Sequence, residues 1–246
     1  MSERPGDPGP VRGFAVTGVD GCAGGWIAVT LLPVAALTPG APSDLAVNAV
    51  VAPTLDALPL TWIVGIDMPL GLVAEGWRAA DLLARRALGR RGVTVFAIPA
   101  RPVWQQEAYA AANRTCRELT GKGLSAQAWG LRRKLLEADR FRRSQQAAEA
   151  GVRLYEVHPE LSFAALAGGV PVADSKHTPA GLAARRALLA RAAITLPPRM
   201  AGAAENDLLD AAAVAWSARR IAAGTAAALS DPAQRADDGT EIAIRY

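Results

Sequence analysis

Four aspartates in this 246-residue chain stand where carboxylates could gather. Asp20 closes an apolar, β-prone run beginning at Phe14, and the glycine-rich turn Gly21-Cys22-Ala23-Gly24-Gly25 follows it. Asp67 ends a second apolar run, Trp62-Ile63-Val64-Gly65-Ile66, which Pro69 closes. Asp207 and Asp210 open a helix and, three residues apart, share one face of it. Hard divalent cations such as Mg²⁺ or Mn²⁺ take oxygen ligands, chiefly carboxylates. Metal-assisted phosphodiester hydrolysis needs several such groups converging from distant parts of the chain. The expected metal ligands are therefore Asp20, Asp67, Asp207 and Asp210, and the expected catalytic set adds Glu156. Plainer roles compete: a turn residue ahead of glycine for Asp20, a strand-end cap for Asp67, and an acid at a helix N-terminus for Asp207. Glu156, His158 and Glu160 alternate, which predicts one polar face of a strand able to ligate metal or supply a base. A histidine beside carboxylates is more often a hydrogen-bonded structural partner.

The elements that must position these groups follow from pattern. Phe14–Asp20 and Trp26–Leu32 read as a hairpin, Leu45–Val51 as a third strand, and Thr54–Leu58 as a helical turn or two. The near-continuous apolar run Trp62–Asp67 fits a strand buried on both faces. Ligands of open α/β sheets bind beyond the carboxyl ends of strands, where both aspartates stand. Helices are predicted over Trp77–Leu88, Ala108–Leu119 and Ala126–Ala150, with a short extended piece at Val93–Phe96. A fifth strand spans Arg153–Glu160 and stops at Pro159. A helix over Ala180–Ala193, the long helix opened by Glu205 and a turn with a short closing strand to Tyr246 complete the chain. Residues 1–13 read as a flexible leader, without the apolar stretch of a signal peptide, and 14–246 as a single domain.

Composition narrows the function. At 51% hydrophobic and 20% charged residues the chain can bury a full core, and no uncharged apolar run is long enough to span a membrane. Cys22 and Cys116 match no zinc spacing and are expected to be reduced thiols in a cytoplasmic protein. Residues 73–153 hold 16 Lys and Arg against 7 Asp and Glu, although the whole chain carries only +4. A basic block with acidic flanks suits a polyanion held in one part and metal in another, although a basic helix face is also an ordinary way to be soluble. No phosphate-binding loop, dinucleotide fingerprint or serine nucleophile elbow is present, and two histidines leave Ser/His or Cys/His catalysis few options.

Five motifs occur in order: Val19-Asp20-Gly21-Cys22 with Gly24-Gly25-Trp26, Gly65-Ile66-Asp67-Met68-Pro69-Leu70-Gly71, Gly123-Leu124-Ser125 with Gln127 and Trp129, Glu156-Val157-His158-Pro159-Glu160 with Ser162-Phe163, and Asp207 with Asp210-Ala211. Together, from about Gly18 onward, they resemble the bacterial and archaeal family catalogued as domain of unknown function 429, described as predicted nucleases of ribonuclease H-like fold. The resemblance implies an α/β fold with a mixed sheet flanked by helices and a helical insertion, about 73–150, between the fourth and fifth strands. It also implies an acidic arrangement like that of Holliday-junction resolvases. One departure is Asn206-Asp207, where the family pattern has an acidic pair. Trp129 leads into Arg132, Arg133 and Lys134, then Arg140, Arg142 and Arg143. Of these, Trp129, Arg132, Arg133, Lys134, Arg140 and Arg143 are the expected grip on DNA or RNA, by stacking and phosphate contacts. The expected activity is a Mg²⁺- or Mn²⁺-dependent nuclease. The alternatives are a metal-dependent phosphotransferase or ATPase of related fold, or a catalytically silent nucleic-acid-binding module.

Overall fold

The computed structural model describes residues 14–33 and 45–246. The leader and nearly all of the loop after Pro33 lie outside the described residues. β1 (Val16–Cys22) turns through Ala23 and Gly24 into β2 (Gly25–Pro33), and β3 (Leu45–Ala52) pairs with β2. β4 (Ile63–Ile66) runs parallel to β1, and β5 (Arg153–Glu156) parallel to β4. The order is β3-β2-β1-β4-β5 with β2 alone opposed to the others, which is the ribonuclease H-like sheet.

Alternation divides the strands between two cores. Ile27, Val29 and Leu31 of β2 face α9 (Glu205–Ala222), while Trp26 and Ala28 face the helices that follow β4. Gly18 and Gly65 are register partners on β1 and β4, and α9 crosses directly over them. A Cβ on Gly18 would collide with the backbone of Ala211 and Ala215; one on Gly65 would stand 2.9 Å from Val214 Cγ1. The two glycines and the alanines of α9 therefore form a shallow seat that fixes the helix against the strand ends.

Between β4 and β5 lie α1 (Ala79–Leu88), α2 (Arg101–Trp104), α3 (Tyr109–Thr120), α4 (Ala126–Gly130), α5 (Arg132–Arg142) and α6 (Gln145–Glu149). The single helix expected over Ala126–Ala150 is thus three pieces. It is interrupted at Leu131 and again where the Ser144 hydroxyl accepts from Ala147 N at 3.1 Å and starts α6. Val93 and Thr94 end a 3₁₀ segment, Gly89–Thr94, where an extended piece was expected. The fifth strand stops at Glu156, and Pro159 opens α7 (Pro159–Leu166), since proline at the first helical position loses no hydrogen bond. Glu156, His158 and Glu160 are therefore not one face of a strand. After α8 (Pro179–Arg191) and α9, the closing segment is a hairpin, β6 (Ala228–Arg235) with β7 (Glu241–Arg245). β6 was missed because Pro232 sits within it, tolerated at an irregularity in the pairing.

Arg101, Arg142 and Arg143 clasp this hairpin. Arg143 Nη2 donates to Asp237 at 2.6 Å, Arg142 Nη2 to Asp238 at 2.7 Å, and all three arginines pair with Asp139. No described helix is long and apolar enough to cross a membrane.

Candidate active site

The parallel register places Val19 opposite Ile66, and Asp67 N donates to Val19 O at 2.9 Å. Asp20 and Asp67 therefore emerge side by side from adjacent strands. Asp20 lies two residues short of the end of β1, and its Oδ1 accepts from Gly21 N at 2.6 Å. α5 braces the turn beyond it: Lys134 Nζ donates to Cys22 O at 3.3 Å and to Gly25 O, over the Trp26 ring. Glu137 of the same helix accepts from Trp26 Nε1 at 2.9 Å and Leu55 N at 2.7 Å.

A cavity of about 280 Å³ opens here, walled by Asp20, Asp67, Asp207, Glu160, Lys134 and Lys176 among others. Asp210 of α9 stands behind this lining, 1% exposed, and reaches it through Lys176. Its Oδ2 accepts from Lys176 Nζ at 2.6 Å, while its Oδ1 is buried without a hydrogen-bond partner. Burial, followed by the neighbouring Asp67 and Asp210 charges, pushes Asp20 well above the ordinary carboxylate range. Burial raises Asp67 to about 6 against the pull of Lys176, and does the same to Asp210. Burial alone would lower the Lys176 ammonium, but Asp210, Asp67 and Asp20 hold it above its usual value.

The remaining expected residues are placed less uniformly. Asp207 lines the cavity, yet its carboxylate accepts from Ala204 N at 3.1 Å and Asn206 Nδ2 at 2.7 Å, so it also caps α9. Glu156 reaches the cavity wall but is tied to Leu70 N at 2.8 Å and to the wholly buried Arg78, which also faces Asp81 at 3.7 Å. Burial lifts Glu156 to about 7 despite Arg78. His158 Nδ1 has no partner, and burial lowers the imidazole. Glu160 Oε1 accepts from Arg185 at 2.7 Å and Arg91 at 3.0 Å, leaving Oε2 bare. Cys22 is a buried thiol that burial pushes up, as a packing residue rather than a nucleophile would be.

The basic cluster divides. Trp129 stacks at 6.4 Å on Trp104, and Arg132 lies over the Trp129 ring at 5.1 Å while donating to Trp104 O at 2.9 Å. Arg133 and Arg140 are exposed along a groove shared with Arg132. Lys134 and Arg143 are spent on the brace and the clasp.

Sequence reasoning missed Lys176. The available signal was composition: the chain has three lysines, Lys122, Lys134 and Lys176, and uses arginine elsewhere. Two of the three reach this cavity.

Residues 18–235 match the family described as Protein of unknown function (DUF429). The chain belongs to this family. A search of curated proteins finds no match. Among solved structures, that of Thermus thermophilus RuvC is similar over 86% of this chain and 98% of its own, at 17% identity and a TM-score of 0.34. This family member carries the five-stranded order β3-β2-β1-β4-β5, with β2 alone antiparallel.

Divalent metal fits the donor set in kind. The cavity gathers several carboxylates around one bridging ammonium, and Asp210 Oδ1 lacks any partner. The donors are not preassembled: among the described residues no group of three or more His, Cys, Asp or Glu is arranged to hold a metal ion.

Proposed function

We propose that this protein is a Mg²⁺- or Mn²⁺-dependent nuclease, hydrolysing phosphodiesters of DNA or RNA in the cavity lined by Asp20 and Asp67 and backed by Asp210. The observation that supports it is the convergence, at the carboxyl edge of the parallel strands, of aspartates from β1, the residue after β4 and α9. A divalent ion held by Asp20, Asp67 and Asp210 would supply Lewis-acid stabilisation of charge developing on the phosphate. The chain's own contribution is positional. Gly21 N orients Asp20, the Val19 carbonyl fixes the backbone of Asp67, and the glycine seat under α9 fixes Asp210. Asp207 lines the entrance, and Glu156, bound to Arg78, holds the floor instead of moving a proton. Arg132, Arg133 and Arg140 offer the groove along α5 to backbone phosphates, and Trp129 anchors that helix.

One observation favours a second reading, a catalytically silent nucleic-acid-binding module: Lys176 already bridges to Asp210, and the ligand shell is open. Labelled DNA and RNA incubated with Mn²⁺ and either wild type or Asp20→Asn separate the two. Cleavage by wild type that falls by at least about a hundredfold in Asp20→Asn is expected. Binding of either nucleic acid without cleavage by wild type sinks the nuclease reading.

A further inference from the structure

Lys176 comes from the loop before α8, between Asp174 and Thr178, and enters the cavity beside Asp20 of β1, Asp67 just after β4 and Asp207 of α9. Its Nζ stands 2.6 Å from Asp210 Oδ2, and its side chain remains 29% exposed whereas Asp210 is 1% exposed. A long lysine stem with a solvent route is able to leave; the aspartate is not. Neighbouring acids have fixed partners: Glu160 holds Arg185 and Arg91, and Glu156 holds Arg78, each through a buried or half-buried guanidinium. Among the described residues Lys176 is the one lysine of the cavity held in an ion pair, and the oxygen beside its contact, Asp210 Oδ1, is left bare, as is Glu160 Oε2.

We propose that Lys176 is a built-in counter-cation that competes with divalent metal for Asp210, keeping the free protein's site weakly loaded until its ammonium is drawn away. The inference rests on the metal-dependent reading above and deepens it by naming what controls loading. Electrostatics gives the sign. One positive charge beside a carboxylate that must ligate a dication repels the dication and occupies its ligand. Removing that charge strengthens metal binding; a merely structural lysine, once lost, would weaken it by loosening Asp210.

The test is Mn²⁺ calorimetry on wild type, Lys176→Met, Lys176→Gln and Lys176→Arg, each first checked for cooperative melting. The two neutral variants are expected to bind Mn²⁺ at least about tenfold tighter than wild type, and the arginine variant to stay near wild type. A second measurement needs no variant. Saturating Mn²⁺ should speed acetylation of Lys176 by an amine-reactive reagent, read by mass spectrometry, while Lys122 on the exposed surface keeps its rate. Unchanged or weaker Mn²⁺ affinity in the neutral variants, or a Lys176 acetylation rate indifferent to Mn²⁺, overturns the competition. If wild type binds Mn²⁺ normally in that case, the nuclease reading stands and only the role of Lys176 falls. If no protein, neutral variants included, binds millimolar Mn²⁺, both fall together.

Discussion

At the scale of single residues, this protein keeps carboxylates where water is scarce and only partly compensates them. Asp67 and Asp210 are raised to about 6 from an ordinary 3.8, with burial the leading cause. A carboxylate raised on folding stabilises the fold in its protonated form. That contribution is complete below about 3.8 and is lost as the pH climbs through about 6. His158, lowered by burial, the clasp acids Asp139 and Asp237, held low by their arginines, and Asp238, held low by Thr240 and then Arg142, act in the opposite sense as pH falls. The difference between proteins is therefore the clean observable. Without divalent ions, Asp67→Asn should gain stability relative to wild type as the pH rises from 4 to 7, by up to about 3 kcal/mol. Chemical denaturation across that range measures it, and a pH-independent difference would contradict the assignment. Arg78 is the converse case, a wholly buried cation serving Glu156 and facing Asp81. Arg78→Met leaves two buried acids without their cation and should cost about 3–5 kcal/mol. Adding Glu156→Gln should recover part of that loss, which a double-mutant cycle by urea denaturation would register.

Elements determine which residues meet. α9 reaches the sheet closely only because Gly18 and Gly65 lie side by side beneath it. Gly18→Ala sets a methyl against the backbone of Ala211 and Ala215, neither of which can rotate away as a side chain would. The expected cost is about 3 kcal/mol, at the upper end of overpacking, and α9 should lift where Asp210 leaves it. Thermal melting and Mn²⁺ titration check both consequences: a lowered Tm accompanied by unchanged Mn²⁺ binding would show that the seat does not position the site. The helical insertion contributes similarly at a distance. α5 carries Lys134 under the Asp20 turn and Glu137 under Trp26, so the basic block is in part internal scaffolding.

For the molecule as a whole, the +9 surplus of residues 73–153 overstates what is available to a ligand. Arg101, Arg142 and Arg143 close the C-terminal hairpin onto α5, and Arg78 is in the core, whereas Arg133 and Arg140 face outward. Nucleic-acid binding should divide accordingly. Arg133→Ala with Arg140→Ala should weaken binding across sequences and reduce the slope of log affinity against log salt by about 2. Arg143→Ala should instead lower the melting temperature and leave the slope unchanged. Fluorescence anisotropy over a salt series distinguishes them, and an unchanged slope in the double variant would remove the α5 groove from the interface.

What the sequence determined by itself was local and periodic. The apolar runs of β1, β2, β3 and β4, their stops at glycine and proline, and the start of α9 follow from residue order. So does the placing of Asp20 and Asp67 within two residues of strand ends, because a strand's pattern and its approximate boundary are written in neighbouring residues. The family motifs implied the mixed sheet and the helical insertion after its fourth strand, and the structure supplied the strand order. Where local signals conflicted, the tertiary structure decided: Pro159 opens a helix instead of merely ending a strand, Leu131 breaks a run of good helix formers, and Pro232 is accommodated in β6. It alone decided how the acids are spent. Asp210 is left with one bare oxygen, Glu156 is handed to Arg78 from 78 residues away, and Lys176 enters from a loop that no periodicity marks. Such pairings depend on burial and on partners remote in the chain, and both exist only once the helices have packed on the sheet.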